Sequence, residues 1–304
     1  MASVKTELYR TIRQTDYYWR YVSNRRPWLA YQRADRNPLV EGHQHLLRIL
    51  RQDGIVVTNS RIVFGESTLL HELIRAVDEL ETKHSGEIER RRNQTDAPAS
   101  KQYLVELLGS RPPLDPQSIF VRFALQPPVL KLANSYLGMY TQLSFFNVWR
   151  NLSTQRAPSN AQLWHRDLDD RMIFKLFVYL TDVTERDGPL VYAPRTHFAG
   201  RIHREPETFG EEGTTARRSN DEQMSRVVPR EKWISAVGPK HTVILVDTSG
   251  YHKGGFVKDH DRVVYTCMFT SQAAQLRAEY INRIGPAPTG LDPATSFALG
   301  GTSS

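Results

Sequence analysis

The sequence predicts a mainly β protein with flanking helices, an α+β chain whose sheet-forming half is a barrel or a two-sheet sandwich. Two observations carry this. The apolar residues recur at helical spacing until Gly138 and change to strand-like runs from Leu143 onward. Those later runs are short and separated by turn residues, which is how barrels and sandwiches read in sequence. The length, 304 residues, suffices for one large domain with a sizeable core.

The first element, residues 5–35, interleaves aromatics (Tyr9, Tyr17, Tyr18, Trp19, Tyr21, Trp28, Tyr31) with arginines. We read residues 1–42 as a helical arm whose aromatic side packs on the body or on a second subunit, the latter giving a homodimer. Leu46, Leu47, Ile49 and Leu50 then form one apolar side of a helix over 43–52. Asp53-Gly54 ends it, glycine supplying the left-handed conformation common at such ends. Ile55-Val56-Val57 is a short β-branched strand. Ser67 caps a second helix, on which Leu69, Leu70, Leu73, Ile74, Val77 and Leu80 recur. Lys83 to Ser100 is charged and solvated, as helix extension or loop. Pro127-Pro128 opens a helix that Gly138 closes.

In the second half, Leu143 to Trp149 is aromatic and apolar. Met172 to Leu180 is an apolar run around Lys175, as in a strand covered on both sides. Leu190 to Tyr192, Thr242 to Val246 and Val263 to Thr270 complete the strands. The main domain is expected over 43–284. Within it, 201–232 is charged, broken by Gly and Pro, and is a candidate lid. Residues 285–304 are rich in Pro, Gly, Ser and Thr and read as a flexible tail.

Charge and composition exclude several classes of function. The net charge is +7, but 40 basic residues are mixed with 33 acids, and no nucleic-acid motif accompanies them. No apolar run reaches the roughly 20 residues of a membrane span, and the N-terminus opens no signal peptide. The one cysteine, Cys267, lies in an apolar run and reads as a core residue. A single cysteine fits a reducing, cytoplasmic setting.

The chemistry concentrates at Trp164-His165-Arg166-Asp167. In an extended segment, His165 and Asp167 point to the same side and could converge on one ion. Such a pair alone occurs by chance in many chains, so a third ligand decides its meaning. Among ten histidines, His252 fits best. It follows the strand 242–246 and the polar turn Asp247 to Gly250, and it precedes Gly254-Gly255. The other histidines read as structural, His197 as a loop residue. Two imidazoles and one carboxylate leave open positions on the metal, which suits non-haem Fe(II) that binds O₂ and a co-substrate. Arg262, ten residues past His252, stays charged and needs an anionic partner if buried. The far carboxylate of 2-oxoglutarate would serve.

These residues resemble the phytanoyl-CoA dioxygenase-like branch of Fe(II)/2-oxoglutarate-dependent oxygenases. The segment 162–167 looks like that family's metal-binding His-x-Asp strand. Lys175 to Val183, with Asp187-Gly188-Pro189-Leu190 and Tyr192 to His197, looks like its strand, Gly-Pro turn and following loop. Asp247 to Gly255 resembles the distal-histidine turn, and Arg262 stands at the spacing of the 2-oxoglutarate arginine. The match is good over 143–271 and loose over 43–142. It implies a double-stranded β-helix, a cupin-like jelly-roll barrel buttressed by helices. It implies further that His165, Asp167 and His252 hold Fe(II) and that Arg262 binds 2-oxoglutarate. Asn147 is similar in position to a polar co-substrate contact in some relatives, with a strand-end or turn hydrogen bond as the competing reading. Arg195 stands where the family often has glycine, and Val264 where many relatives have a hydroxyl.

The function expected is hydroxylation of an unactivated C–H of a small molecule. Desaturation, cyclisation and epimerisation use the same centre. Halogenation is disfavoured, because Asp167 fills the position a halide needs. A non-catalytic binding or scaffold protein is the alternative on this fold, and a metal hydrolase or isomerase is a third reading. Arg166, Asp169, Asp170 and Lys253 lie beside the ligands in sequence and are candidates for substrate contact.

Overall fold

Helices occupy most of the chain before Gly138 and strands most of it after, as the periodicity predicts. The computed structural model describes residues 15–34, 38–93, 103–153, 160–208, 217–275, 280–283 and 289–301. A π-helical turn, Tyr18–Ser23, leads into α1 (Arg25–Arg33), α2 (Glu41–Asp53), α3 (Ser60–Phe64), α4 (Thr68–Lys83), α5 (Ser85–Asn93), α6 (Ile119–Ala124) and α7 (Pro127–Leu137). The strands are β1 (Ile55–Asn59), β2 (Leu104–Glu106), β3 (Gln142–Asn151), β4 (Phe174–Tyr179), β5 (Leu190–Tyr192), β6 (Ile234–Ser235), β7 (Thr242–Val246), β8 (His252–Gly254) and β9 (Arg262–Thr270). Two further short α-helices are α8 (Asp221–Ser225) and α9 (Pro293–Ala298), and single 3-10 turns lie at Asn160–Gln162 and Arg230–Lys232.

Six strands form one sheet in the order β1-β7-β4-β9-β3-β2, and three form a second, β6-β5-β8. All named pairings are antiparallel. Alternation along the strands gives the large sheet two apolar sides. Phe174, Leu176 and Val178 of β4, with Val263, Tyr265 and Cys267 of β9, pack into the main core with α2, α4, α6 and α7. Phe177, Tyr179, Ile244 and Val264 point the other way and meet Leu190 and Tyr192 of the small sheet. This is a jelly-roll of two facing sheets buttressed by helices. Among the described residues the ladder does not close into a continuous barrel.

Two glycines fix how helix and turn meet. Gly54 caps α2 at φ +82°, as expected, and Asp247 N donates to its carbonyl. A Cβ on Gly250 would lie 2.0 Å from Tyr192 Oη, so that turn accepts only glycine at its present packing. Arg195 has φ +66°. That explains the glycine expected there; a non-glycine residue pays about 1–2 kcal/mol in this conformation. Its backbone N–H donates to Asp53 O and its Nε pairs with Asp53 at 3.0 Å, which fastens the turn to α2.

Several expectations are revised. The sequence of 285–304 reads as a flexible tail, but α9 lies within it. Asp292 accepts from Thr295 N as N-cap, Pro293 opens the helix, and Phe297 is fully buried, stacked on Tyr140. His197 does sit in a loop, yet it is completely buried, its Nε2 3.2 Å from Arg51 O. On the arm, Trp19 packs into the main core and donates to Asp170 Oδ1 at 2.7 Å, while Tyr17 and Tyr21 stay exposed. Residues 1–14 and 35–37 of the arm and 209–216 of the lid segment lie outside the described residues. Cys267 is buried on β9, and burial pushes its thiol well above the usual range.

Candidate metal centre

The backbone brings the sequence-predicted ligands together. His165 and His252 exchange both backbone hydrogen bonds, each N···O 2.9 Å, so the segment 163–167 lies antiparallel against β8. Asp167 N donates to Thr248 O at 2.8 Å, fastening the same segment to the turn before His252. Residues two apart therefore point to one side, and Asp167 Oδ1 lies 4.0 Å from both His165 Nε2 and His252 Nε2. The three ligand atoms all lie within 4.8 Å of one another. Among the described residues no other group of His, Cys, Asp or Glu has this geometry.

The remaining polar atoms of these side chains are all engaged. His165 Nδ1 is 2.8 Å from Leu163 O, and His252 Nδ1 is 3.0 Å from Gly250 O. A carbonyl only accepts, so each Nδ1 carries the proton and each Nε2 presents a lone pair inward. Burial lowers the pKa of His165 to about 3, and the neighbouring His252 ring further disfavours a second proton there. Burial likewise lowers that of His252, against the attraction of Asp167. Burial alone would raise Asp167, but Lys175 and the two imidazoles outweigh it and hold the carboxyl below its ordinary range. Two neutral imidazoles and a carboxylate are a donor set that could hold a divalent cation with positions to spare.

Lys175 is a residue the sequence reading did not assign. It is the single charge of the apolar strand β4, and its Nζ donates to Asp167 Oδ2 at 2.8 Å. A lone cation in a strand buried on both sides was the available signal.

Beside the triad lies a cavity of about 210 Å³ between the sheets. Phe177, Ile244 and Val264 give it an apolar wall, and Arg262 stands at its lining. Arg262 is buried, and among the described residues no carboxylate forms an ion pair with it. Its Nε has no hydrogen-bond partner. Two further buried donors of the lining are also unpartnered, Trp149 Nε1 and Asn151 Nδ2. Three donors converging on one cavity fit an anionic, acceptor-rich group.

Asn147 does not belong to this lining. Its Oδ1 accepts from Val148 N at 2.8 Å and from Leu108 N at 3.3 Å, and its Nδ2 donates to Gly109 O. The competing reading, a turn hydrogen bond, is the observed one, and Asn151 is the asparagine of β3 that faces the cavity.

Most of the neighbours in sequence are committed elsewhere. Asp170 accepts from Trp19, Arg171 N and Ser271 N. Arg166 stacks 4.3 Å over Tyr251 and donates to Thr196 O. Asp169 accepts from Tyr280. Lys253 Nζ pairs with Asp221, which also accepts from Trp164 Nε1 at 2.7 Å. Asp221 opens α8, so this contact ties the candidate lid to both ligand-bearing segments. Met224 and Val228 of the same segment pack with Trp164 and Tyr251. A larger cleft of about 550 Å³, between Tyr31, Leu130 and Ala294, has no ligating cluster among the described residues.

The chain is similar in fold to EctD. For EctD from S. alaskensis with 2-oxoglutarate and 5-hydroxyectoine, the match covers 82% of this chain and 91% of that one, at 14% identity and a TM-score of 0.51. The apoform of the same protein matches at 16% identity over 83% and 84% of the two chains, TM-score 0.51. The epimerase SnoN in complex with Fe3+, alpha ketoglutarate and nogalamycin RO matches at 17% identity over 83% and 92%, with a TM-score of 0.47. No family model and no curated protein matches the sequence. At these identities the EctD likeness establishes the jelly-roll fold. No described helix is long and apolar enough to cross a membrane.

Proposed function

We propose that this chain is a non-haem Fe(II)- and 2-oxoglutarate-dependent oxygenase of the phytanoyl-CoA dioxygenase-like kind, acting on a C–H of a small molecule. The observation that carries the proposal is Arg262, a buried guanidinium without a carboxylate partner, lining the same cavity as the His165-Asp167-His252 cluster. The fold likeness to EctD, a structure described with 2-oxoglutarate, is in keeping with it.

The residues divide the work by chemistry. His165 and His252, neutral and fixed through their Nδ1 protons, would offer Nε2 to the metal, and Asp167 would offer Oδ1. Arg262 would pair with the far carboxylate of 2-oxoglutarate. Asn151 and Trp149 would donate to the same ligand, supplying what Val264 cannot. Phe177, Ile244 and Val264 would help keep water from a bound substrate as the apolar wall of the cavity. When bound, iron with 2-oxoglutarate and O₂ supplies oxidative decarboxylation to succinate and CO₂ and the power to break a C–H bond.

Hydroxylation is the default outcome of such a centre, and desaturation, cyclisation or epimerisation share its ligands. The candidate lid 201–232, whose described part is tied down through Asp221, would cover the substrate. The exposed Tyr17 and Tyr21 would be the surface for a second copy. The test is succinate release from 2-oxoglutarate with Fe(II) and O₂, in the presence of pooled candidate metabolites. Turnover that needs all three reagents and disappears in Asp167→Ala is expected. Metal binding without succinate from any pool favours a non-catalytic protein on the same fold.

A further inference from the structure

We propose that Lys175 is the positioning residue for Asp167, holding one carboxylate oxygen so that the other alone faces the metal. This rests on the reading that His165, Asp167 and His252 share an ion.

The strand explains why the lysine needs a reason to be there. Lys175 lies on β4 on the same side as Phe177 and Tyr179, and its ladder partners are Val246 and Met268, both buried. Its side chain is only 12% exposed. An ammonium in such a position is costly unless paired. The partner in reach is Asp167 Oδ2, at 2.8 Å.

The three ligand side chains are then held by one scheme. Each has one polar atom facing the other two and one atom tied back. Leu163 O holds His165 Nδ1 at 2.8 Å, and Gly250 O holds His252 Nδ1 at 3.0 Å. For the histidines the tie is backbone, two residues away in the chain. For Asp167 the backbone N–H is already spent on Thr248 O, and Lys175 is the tie for the carboxylate. Outer contacts of this kind fix ligand orientation, and their loss typically costs about 10- to 100-fold in metal affinity.

The sign of the effect separates positioning from plain electrostatics. A cation beside the site repels a divalent metal and competes for Asp167. If charge were all that Lys175 contributed, its removal would tighten metal binding. If Lys175 positions Asp167, its removal weakens binding despite the lost repulsion.

The experiment is anaerobic titration of the full chain with Mn(II) alone, free metal being read by its electron paramagnetic resonance signal. Lys175→Met, Lys175→Gln, Lys175→Arg and His165→Ala are compared with the parent chain. Circular dichroism of each metal-free variant establishes that it is folded. The expected result is about 10- to 100-fold weaker binding in Lys175→Met. Lys175→Gln, which keeps a donor without charge, should lose less, and Lys175→Arg should stay within several-fold of the parent. Equal or tighter binding in folded Lys175→Met and Lys175→Gln overturns the positioning role while leaving the metal site intact. A parent chain that binds no Mn(II), or a His165→Ala variant that binds as well as the parent, overturns the metal reading and this inference with it.

Discussion

Asn151 and Arg262 stand directly opposite each other on the β3–β9 ladder, and each carries an unpartnered donor, Nδ2 and Nε, at the lining of one buried cavity. Under the proposed function, this guanidinium and amide, paired on the ladder, would cradle a carboxylate. Hydrogen bonds to a charged group contribute about 1.5–3 kcal/mol each. Arg262→Gln should therefore raise the KM for 2-oxoglutarate about 10- to 100-fold. Asn151→Ala should raise it several-fold. Asn147→Ala should leave the KM unchanged and lower the melting temperature, because its bonds hold the 107–109 turn. Steady-state kinetics against 2-oxoglutarate, with thermal melts alongside, check all three.

The two asparagines show where sequence reading stopped. Residues 147, 149 and 151 share one side of β3, so alternation cannot tell Asn147 from Asn151. The difference is tertiary: the 107–109 turn reaches Asn147 and not Asn151. The triad itself was legible, because His165 and Asp167 lie two apart in an extended segment and His252 follows a strand and a glycine turn. Lys175 was visible as a lone charge, but its partner is set by how the 163–167 segment lies against β8. Helix α9 was hidden by the Pro, Gly, Ser and Thr around it, although Asp292-Pro293 is a good cap and first turn. His197 sits in a loop as read, but its burial was not legible, because it comes from packing against Gly54 and Gly250, far away in sequence.

Metal binding should release few protons. The folded-state pKa values of His165 and His252 lie below the ordinary value of 6.5, and that of Asp167 lies below its own. At pH 7 all three are therefore already in their ligating forms. Calorimetry of Mn(II) binding at pH 7 in buffers of different ionisation enthalpy should give well under one proton released per metal. Release of one or two protons would mean that the imidazoles are charged in the metal-free fold. The same shift has a sign for stability. An unfolded chain takes up a proton at His165 near pH 6.5, the fold only near pH 3. The metal-free protein should lose stability as pH falls through that window.

Gly250→Ala should damage both fold and site. The added Cβ would meet Tyr192 Oη at 2.0 Å and His197 N at 2.8 Å, and Gly250 O is the acceptor for His252 Nδ1. Overpacking of this kind costs about 1–3 kcal/mol. Denaturant unfolding should show that loss, and Mn(II) affinity should fall with it.

Asp221→Ala should loosen the candidate lid. It removes the acceptor shared by Lys253 Nζ and Trp164 Nε1. Trypsin cleavage after Arg217, Arg218, Arg226 or Arg230 should accelerate several-fold, read by mass spectrometry. An unchanged rate would mean that Met224 and Val228 hold the segment without the clasp.

On the proposed function, iron and 2-oxoglutarate meet at the triad beside Arg262. The most direct test is anaerobic addition of Fe(II) and 2-oxoglutarate, separately and together, followed by visible absorption. A charge-transfer band should appear only when both are present. It should vanish in His165→Ala and need far more 2-oxoglutarate in Arg262→Gln. No band with the parent chain, or the same band in His165→Ala, would mean that iron and 2-oxoglutarate do not meet at this triad.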